Sequence, residues 1–532
     1  MLEHTLLVTI YTCKVWLLRR TWSKTSTQRF FRNEFYVGSM RKAWAVLIFG
    51  ASCELLLFST MKAGRTTEDP ATIPVSSVQA VSDQVTLVAA PQVLHFGDSS
   101  VPGMTYNGDY TGPLLKVKAG GTLRVHLVNH LSQDTNLHFH GILASPLGHS
   151  DNMMIHVNPG QSFDYQVKVP EYQTPGLYWY HTHIHGETSR NVNAGLSGPL
   201  LVEGPSAPPI TPAPTEARVM VLKEYEVERA RSTTFQNQFR GNILTINGQI
   251  NTVLTLRPGQ HQLWYVGNLS PNRPFQLTIQ GHHFTIIGRD GIPSLHPTIV
   301  ETLDVDPGSR YAVLIDAGTA GDFSIRGSDD DGDGRGHSRG RGRRTCRNSE
   351  NGDDAEDVLL GTLHVSGTSL APKPIPDLAP SPTQDLASAH IDTSRLIVFG
   401  EDGRDYTING KTFDHARVDT RVRLGNIEEW TIRNDTRDMH VFHIHQVTFQ
   451  VVNINGQPQT FNGMVDTVRI VPRASVVIRI AFTHPEIVGR FMYHCHVLEH
   501  EDHGMMAQIE VYDPKQASEM REPGMPSMAL PP

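Results

Sequence analysis

Apolar residues along this chain fall in short runs of β character, and the runs recur as a set. Asn107-Gly108 leads through Leu114-Leu-Lys-Val117 to Ala119-Gly120-Gly121 and then to Leu123-Arg-Val-His-Leu-Val-Asn129. Asn247-Gly248 leads to Pro258-Gly259 and Leu263-Trp-Tyr-Val-Gly-Asn268. Asn409-Gly410 leads to Val418-Asp-Thr-Arg-Val-Arg and Glu429-Trp-Thr-Ile-Arg-Asn434. In each set a turn-forming Asn-Gly precedes two β-type runs. Three copies of one pattern predict three homologous β-sandwich domains in series.

Proline marks the joints. Gly204-Pro-Ser-Ala-Pro-Pro-Ile-Thr-Pro-Ala-Pro214 reads as an extended linker. Ala371-Pro-Lys-Pro-Ile-Pro376, continuing through Pro382, reads as a second. The expected layout is an upstream segment and export signal at 1–75, then sandwiches at 76–205, 215–370 and 385–515, and a disordered tail at 516–532. Inside the second sandwich, the stretch 327–357 is charged, Gly-rich and nearly free of apolar residues. Asp329-x-Asp331-x-Asp333-Gly334 has the opening of a calcium loop, but the twelfth position is Gly340, where a bidentate Glu is needed. The stretch is therefore read as a solvated loop.

Composition narrows the class. The 532 residues are 39% hydrophobic and 19% charged, a globular balance. The net charge of -8 argues for no nucleic-acid partner. Of four cysteines, Cys13 and Cys53 lie in the leader and Cys346 in the charged loop, so no disulfide framework is expected. The run from Ala43 to Phe58 follows Arg41-Lys42 and is broken by Glu54. It is too short for a membrane span and suits a signal-peptide core. Met40 directly precedes that signal and is the expected true start. Arg19-Arg20-Thr-Trp-Ser-Lys24 resembles a twin-arginine signal but lies too far from the apolar core. Cys53 as a lipidation site is disfavoured by Gly50, which stands where a branched aliphatic is usual. The expected location is periplasmic or secreted, with no membrane span in the mature chain.

The chemistry concentrates in Tyr493-His494-Cys495-His496-Val-Leu-Glu-His500-Glu501-Asp-His-Gly-Met505, the end of an apolar strand. Residues i and i+2 of a strand share a face and i+1 points away. His494 and His496 should therefore face one metal centre and Cys495 another. A trigonal two-His, one-Cys site with a weak axial Met is the blue-copper pattern. His500 and Met505 follow at short spacing, and His440 is the candidate for the missing equatorial ligand. Three more His-x-His pairs, His138/His140, His181/His183 and His443/His445, sit in apolar or aromatic contexts. Four such pairs give eight imidazoles, enough for several copper ions. The only helical leaning near this chemistry is His500 to Met505, so the chain as a whole reads as β.

The ordered set of His-x-His, His-x-His, His-x-x-His-x-His and His-Cys-His-x3-His-x4-Met resembles the multicopper oxidases. The likeness covers residues from about 85 to 512. The runs His496-Val-Leu-Glu-His500-Glu-Asp with Met505-Met506, and His185-Gly-Glu-Thr-Ser-Arg190 through Gly195-Leu-Ser-Gly198, look most like bacterial copper-efflux oxidases and spore-coat laccases. The resemblance implies an all-β chain of three consecutive cupredoxin-like Greek-key β-sandwich domains. It implies four copper ions, one type 1, one type 2 and two type 3. His440, Cys495, His500 and Met505 would bind type 1, and His138 and His443 type 2. His140, His181 and His496 would hold one type 3 ion, and His183, His445 and His494 the other. It also implies one-electron oxidation of a phenolic or aromatic reductant, Cu(I) or Fe(II), coupled to reduction of dioxygen to water. Glu501 and Asp151 match acidic positions that supply protons. Asp438 and Met439 match a substrate-copper position. The Met-rich segment of the copper-efflux branch has no counterpart, since no methionine occurs from Val221 to Asp438.

Within that frame, electrons are expected to enter at His500 or His440 and pass from Cys495 through the backbone to His494 and His496. The second sandwich has no His-x-His pair, and its His282-His283 reads as structural, so it would act as a spacer. Two other classes compete. A copper nitrite reductase would lack the full set of eight paired histidines. A non-catalytic cupredoxin-like or cell-division protein would have lost ligands.

Overall fold

The structure, a computed structural model, describes residues 73–74, 84–97, 99–204, 216–226, 238–239, 242–328, 358–371 and 384–515. The leader with Met40 and Cys53, both proline linkers apart from their first residues, nearly all of the charged loop and the tail lie outside them.

Asn-Gly places the chain in the same way three times. Asn107, Asn247 and Asn409 have φ of 58°, 52° and 54°, and the glycines after them 82°, 75° and 74°. Both turn residues are thus left-handed, as a tight hairpin of this type requires. Each Asn side chain then accepts a 2.7 Å hydrogen bond from a strand amide, that of Val88, Val221 or Val398. Those three amides belong to strands Gln84–Phe96, Glu216–Glu226 and Thr393–Asp402. Each strand runs parallel to the one carrying the next repeated run, with Ala89 opposite Asn129, Leu222 opposite Asn268 and Phe399 opposite Asn434.

The described strands form six sheets, and three buried apolar clusters lie between them in pairs. The first pair has four strands in each sheet, the second eight and five, and the third six and five. The three clusters centre on residues such as Leu127 and Tyr180, Trp264 and Leu277, and Trp430 and Ile478, all fully buried. The chain is all-β, three cupredoxin-like sandwiches in series.

Two short helices qualify the sequence reading. One spans Leu498–Asp502, slightly earlier than the expected stretch, and one spans Thr188–Ala194, where no helix is expected. The two meet: Asp502 accepts hydrogen bonds from the amides of Thr188 and Ser189 at 2.9 and 2.8 Å. An acidic acceptor at a helix start satisfies amides that the helix leaves open. Among the described residues no helix is long and apolar enough to cross a membrane.

Candidate metal centre

Strand Gly489–Cys495 lies beside strand His440–Ile444, with Cys495 opposite Phe442 and His494 opposite His443. Pleating turns Cys495 and His440 into the third sandwich and turns His494 and His443 outward. The Cys495 sulfur lies 3.4 Å from His440 Nδ1 and 3.7 Å from His500 Nδ1, and the two nitrogens are 3.0 Å apart. His440 is held by its other nitrogen, 2.7 Å from the Thr436 hydroxyl. The helix after Cys495 brings His500 round. Met505 is buried in the same apolar cluster, and its carbonyl accepts the Cys495 amide at 3.1 Å. Burial pushes the Cys495 thiol up to about 12. A soft cation is the partner that would hold it as thiolate.

On the outer face the eight paired imidazoles converge from the first and third sandwiches. His138 stacks on His445 at 3.8 Å between ring centroids, and His140 on His443 at 3.9 Å. His138 and His181 are opposite each other across neighbouring strands. His494 Nε2 lies 3.4 Å from that of His183 and 3.1 Å from that of His445. Three groups bring their ligand atoms within 4.8 Å of one another: His140, His181 and His496; His183, His445 and His494; and His138, His140 and His443.

Copper, which the sequence pattern implies, can be tested against these rings. Most are held by one nitrogen and present the other. His138 Nδ1 lies 3.1 Å from the Asp151 carboxylate, and His181 Nδ1 lies 2.8 Å from the Thr182 carbonyl. His443 Nδ1 lies 2.8 Å from the Asp466 carbonyl, and His140 Nε2 lies 3.3 Å from the Asp466 carboxylate. The opposite nitrogens, His138 Nε2, His140 Nδ1, His181 Nε2 and His443 Nε2, are buried without a hydrogen-bond partner. An unpaired buried polar atom costs roughly 1–3 kcal/mol. Several together are explained by a cation they share. Burial also pushes the ring pKa values of His138, His140, His181, His183, His443, His445 and His496 down. Neutral imidazole is the form that binds metal. The donor set therefore fits copper.

The two expected acids flank the cluster. Glu501 is fully buried, 3.1 Å from His494 Nδ1 and 3.6 Å from His183 Nδ1. Burial alone would raise its pKa, but the His183 and His494 rings outweigh it and hold it below the usual range. Asp151, also fully buried, takes the Phe139 amide at 3.0 Å and the Gln446 side-chain amide at 2.6 Å. Burial pushes it well above the usual carboxylate range. Asp438 and Met439 are half-buried beside the Cys495 site. Asp438 takes the Tyr406 hydroxyl at 2.7 Å, and Met439 packs against the third core.

Two expectations change. His440 is fully buried, so of the two proposed entry points only half-buried His500 reaches the surface. The second sandwich does more than separate its neighbours, since its Arg310 reaches Asp466 at 2.7 Å. Its His282 is structural as expected, with its ring nitrogens 2.8 and 3.1 Å from the carbonyls of Gln280 and Ala317. Asp466, Arg310, Thr436, Gln446 and Tyr406 are missing from the sequence reading, because none stands in a spaced motif with its partner.

Residues 89–207, 218–349 and 382–515 each match a family model described as multicopper oxidase. The chain belongs to the multicopper oxidases. It is an oxidoreductase that couples oxidation of a reducing substrate to reduction of dioxygen. It is 26% identical over 425 residues to the multicopper oxidase mco of Staphylococcus aureus, covering 76% of this chain and 83% of that one. It is 28% identical over 435 residues to the cell division protein FtsP of Xenorhabdus nematophila, covering 78% and 86%. A solved structure of a laccase-like multi-copper oxidase, CueO, from Ochrobactrum sp. shares the fold with a TM-score of 0.66 at 24% identity, covering 82% and 98%.

Proposed function

We propose that this chain is an exported, laccase-like oxidase that holds four copper ions and oxidises phenols, with a residual activity on Cu(I). The observation that carries the reading is the complete ligand set, since every histidine and cysteine of the sequence pattern falls in one of two tight groups. His440, Cys495, His500 and Met505 would hold the type 1 ion. His138 and His443 hold type 2. His140, His181 and His496 hold one type 3 ion, and His183, His445 and His494 the other. A non-catalytic role, as a cell-division protein, would fit a chain with ligands missing, and none is missing here. The boundaries at 76–205, 215–370 and 385–515 belong to the same reading.

Copper supplies the one-electron steps and the binding of dioxygen. The chain's own residues do the rest. Cys495 sits between His494 and His496 in sequence, so only a few covalent bonds separate the two sites. His500 presents its edge to the reductant while Cys495 stays buried. Glu501 and Asp151, each against a cluster histidine, are assigned to proton delivery. Export rests on the basic and apolar segment after Met40.

Oxygen uptake with a phenol, Fe(II) and Cu(I) compared side by side tests the reading. The expected order is phenol first, with slower uptake on Cu(I). No uptake with any of them, in protein carrying four coppers, would overturn it.

A further inference from the structure

We infer that Arg310, from the second sandwich, is a positioning residue for the histidine cluster, acting through Asp466. The inference rests on the ligand assignment proposed above.

Arg310 and Asp466 are both fully buried. The guanidinium grips the carboxylate with both arms, Nη1 to Oδ1 and Nη2 to Oδ2, each at 2.7 Å. Two further donors are used as well. Nη1 also meets the Gly308 carbonyl at 3.0 Å, and Nε meets the Leu177 carbonyl of the first sandwich at 3.3 Å. Asp290 Oδ1 accepts the Arg310 amide at 3.0 Å. One side chain thus joins all three sandwiches.

Asp466 touches two ligands. Its Oδ1 lies 3.3 Å from His140 Nε2, and its carbonyl lies 2.8 Å from His443 Nδ1. Those contacts choose the nitrogens that remain: Nδ1 of His140 and Nε2 of His443. The partner of one ring nitrogen sets which nitrogen meets a metal. Arg310 fixes the carboxylate plane that fixes His140.

Glycines make room for this arrangement. A Cβ on Gly141, directly after His140, would come within 2.6 Å of Arg310 Nη2 and 2.7 Å of Asp466 Oδ2. A Cβ on Gly308 would come within 2.9 Å of the His496 ring. The segment 308–310 therefore lies directly against the cluster. Lysine cannot reproduce a two-armed grip, because its ammonium is a point charge.

The bland alternative is that Arg310 only fastens domains together. Arg469 provides the control. It pairs with Asp306 across the same two sandwiches at 2.6 Å, and Asp306 is no copper ligand in the assignment above. The experiment uses copper-loaded Arg310→Lys, Asp466→Asn, the double variant and Arg469→Gln beside the unaltered protein. Blue absorbance, copper per chain after chelator challenge, the type 2 electron paramagnetic resonance spectrum and the unfolding temperature of the apo-protein are read.

The expected result is that Arg310→Lys keeps its blue colour, loses some apo unfolding temperature as a weakened buried ion pair does, and gives up cluster copper to the chelator about tenfold or more readily. Its type 2 spectrum shifts, because a carboxylate no longer gripped also lets the Asp466 carbonyl move, and that carbonyl holds the type 2 ligand His443. Asp466→Asn does the same, and the double variant is no worse than either, since the two act as one unit. Arg469→Gln lowers the unfolding temperature and leaves the type 2 spectrum alone. The inference is overturned if Arg310→Lys holds cluster copper normally with an unshifted spectrum. It is also overturned if blue colour, cluster copper and unfolding temperature fall together. Absence of cluster copper in the unaltered protein would instead sink the ligand assignment itself.

Discussion

The Tyr406 hydroxyl donates a 2.7 Å hydrogen bond to Oδ2 of Asp438, and the Tyr406 ring lies 4.1 Å from that of His500. The carboxylate expected to hold a substrate copper ion is thus engaged by a phenol lying against His500, the proposed point of electron entry. Asp438 also anchors the local turn, its carbonyl accepting the Asn434 side-chain amide at 2.8 Å.

These contacts sharpen a prediction about substrate choice. A carboxylate and a thioether suit Cu(I) by charge and softness. Asp438→Ala with Met439→Leu should slow Cu(I) oxidation about tenfold or more, while phenol oxidation changes about twofold or less, as expected for loss of a contact worth roughly 1.5 kcal/mol. Tyr406→Phe keeps the ring and removes its hydroxyl from the carboxylate, so Cu(I) oxidation should rise. Equal losses in both activities for the double variant would mean that the pair only supports the Cys495 site.

The blue centre gives a second test. Replacing Cys495 by Ser keeps the shape and removes the soft thiolate. Blue absorption and substrate oxidation should both disappear. A variant that stays blue would show that the His440, Cys495 and His500 group is not the type 1 site.

The outer cluster gives a third. His138→Ala or His443→Ala should deplete type 2 copper and stop oxygen consumption, yet leave the blue colour, because neither ring contacts the Cys495 sulfur in this structure. Copper analysis and absorbance on the same sample check this. Normal oxygen reduction in either variant would refute the division of ligands.

These residues were legible for a physical reason. The strand period of two puts alternate histidines on one face, so His-x-His spacing carries geometry in the sequence itself. Asn-Gly likewise encodes its own turn. Arg310 and Asp466 lie 156 positions apart and Tyr406 and Asp438 lie 32 apart. Nothing local in either pair announces the other, and only the packing of sandwiches brings them together. The helix Thr188–Ala194 was missed because Asp502, more than three hundred residues on, supplies its start.

The charged loop gives a fourth prediction. Strands Gly321–Ser328 and Val358–Val365 are antiparallel partners, with Gly327 opposite Val358. Paired Cα atoms of such strands are about 5 Å apart, a gap that a two-residue turn closes. Replacing 328–357 by Asn-Gly should leave copper content and phenol oxidation near normal. A collapse of copper loading would assign the loop a structural part.

The last prediction returns to the three turns. At Asn107, Asn247 and Asn409 the side-chain oxygen satisfies a strand amide and the backbone sits at positive φ. Alanine removes the acceptor and strains the backbone, since a Cβ-bearing residue without a local hydrogen bond disfavours that region. Each substitution should therefore cost about 1–3 kcal/mol. The three turns sit in different sandwiches, so in the apo-protein the three losses should be similar. Copper tests their coupling. Ions held by the proposed ligands of the first and third sandwiches would stabilise the folded state by mass action, and the second sandwich supplies none of those ligands. Arg310 ties the second sandwich to the cluster in the inference drawn above, so copper loading should offset all three losses alike, and a smaller recovery of Asn247→Ala would show that the second sandwich is uncoupled. Unfolding temperatures of the three variants, with and without copper, decide between these outcomes, and unequal losses in the apo-protein would show that the three turns are not equivalent.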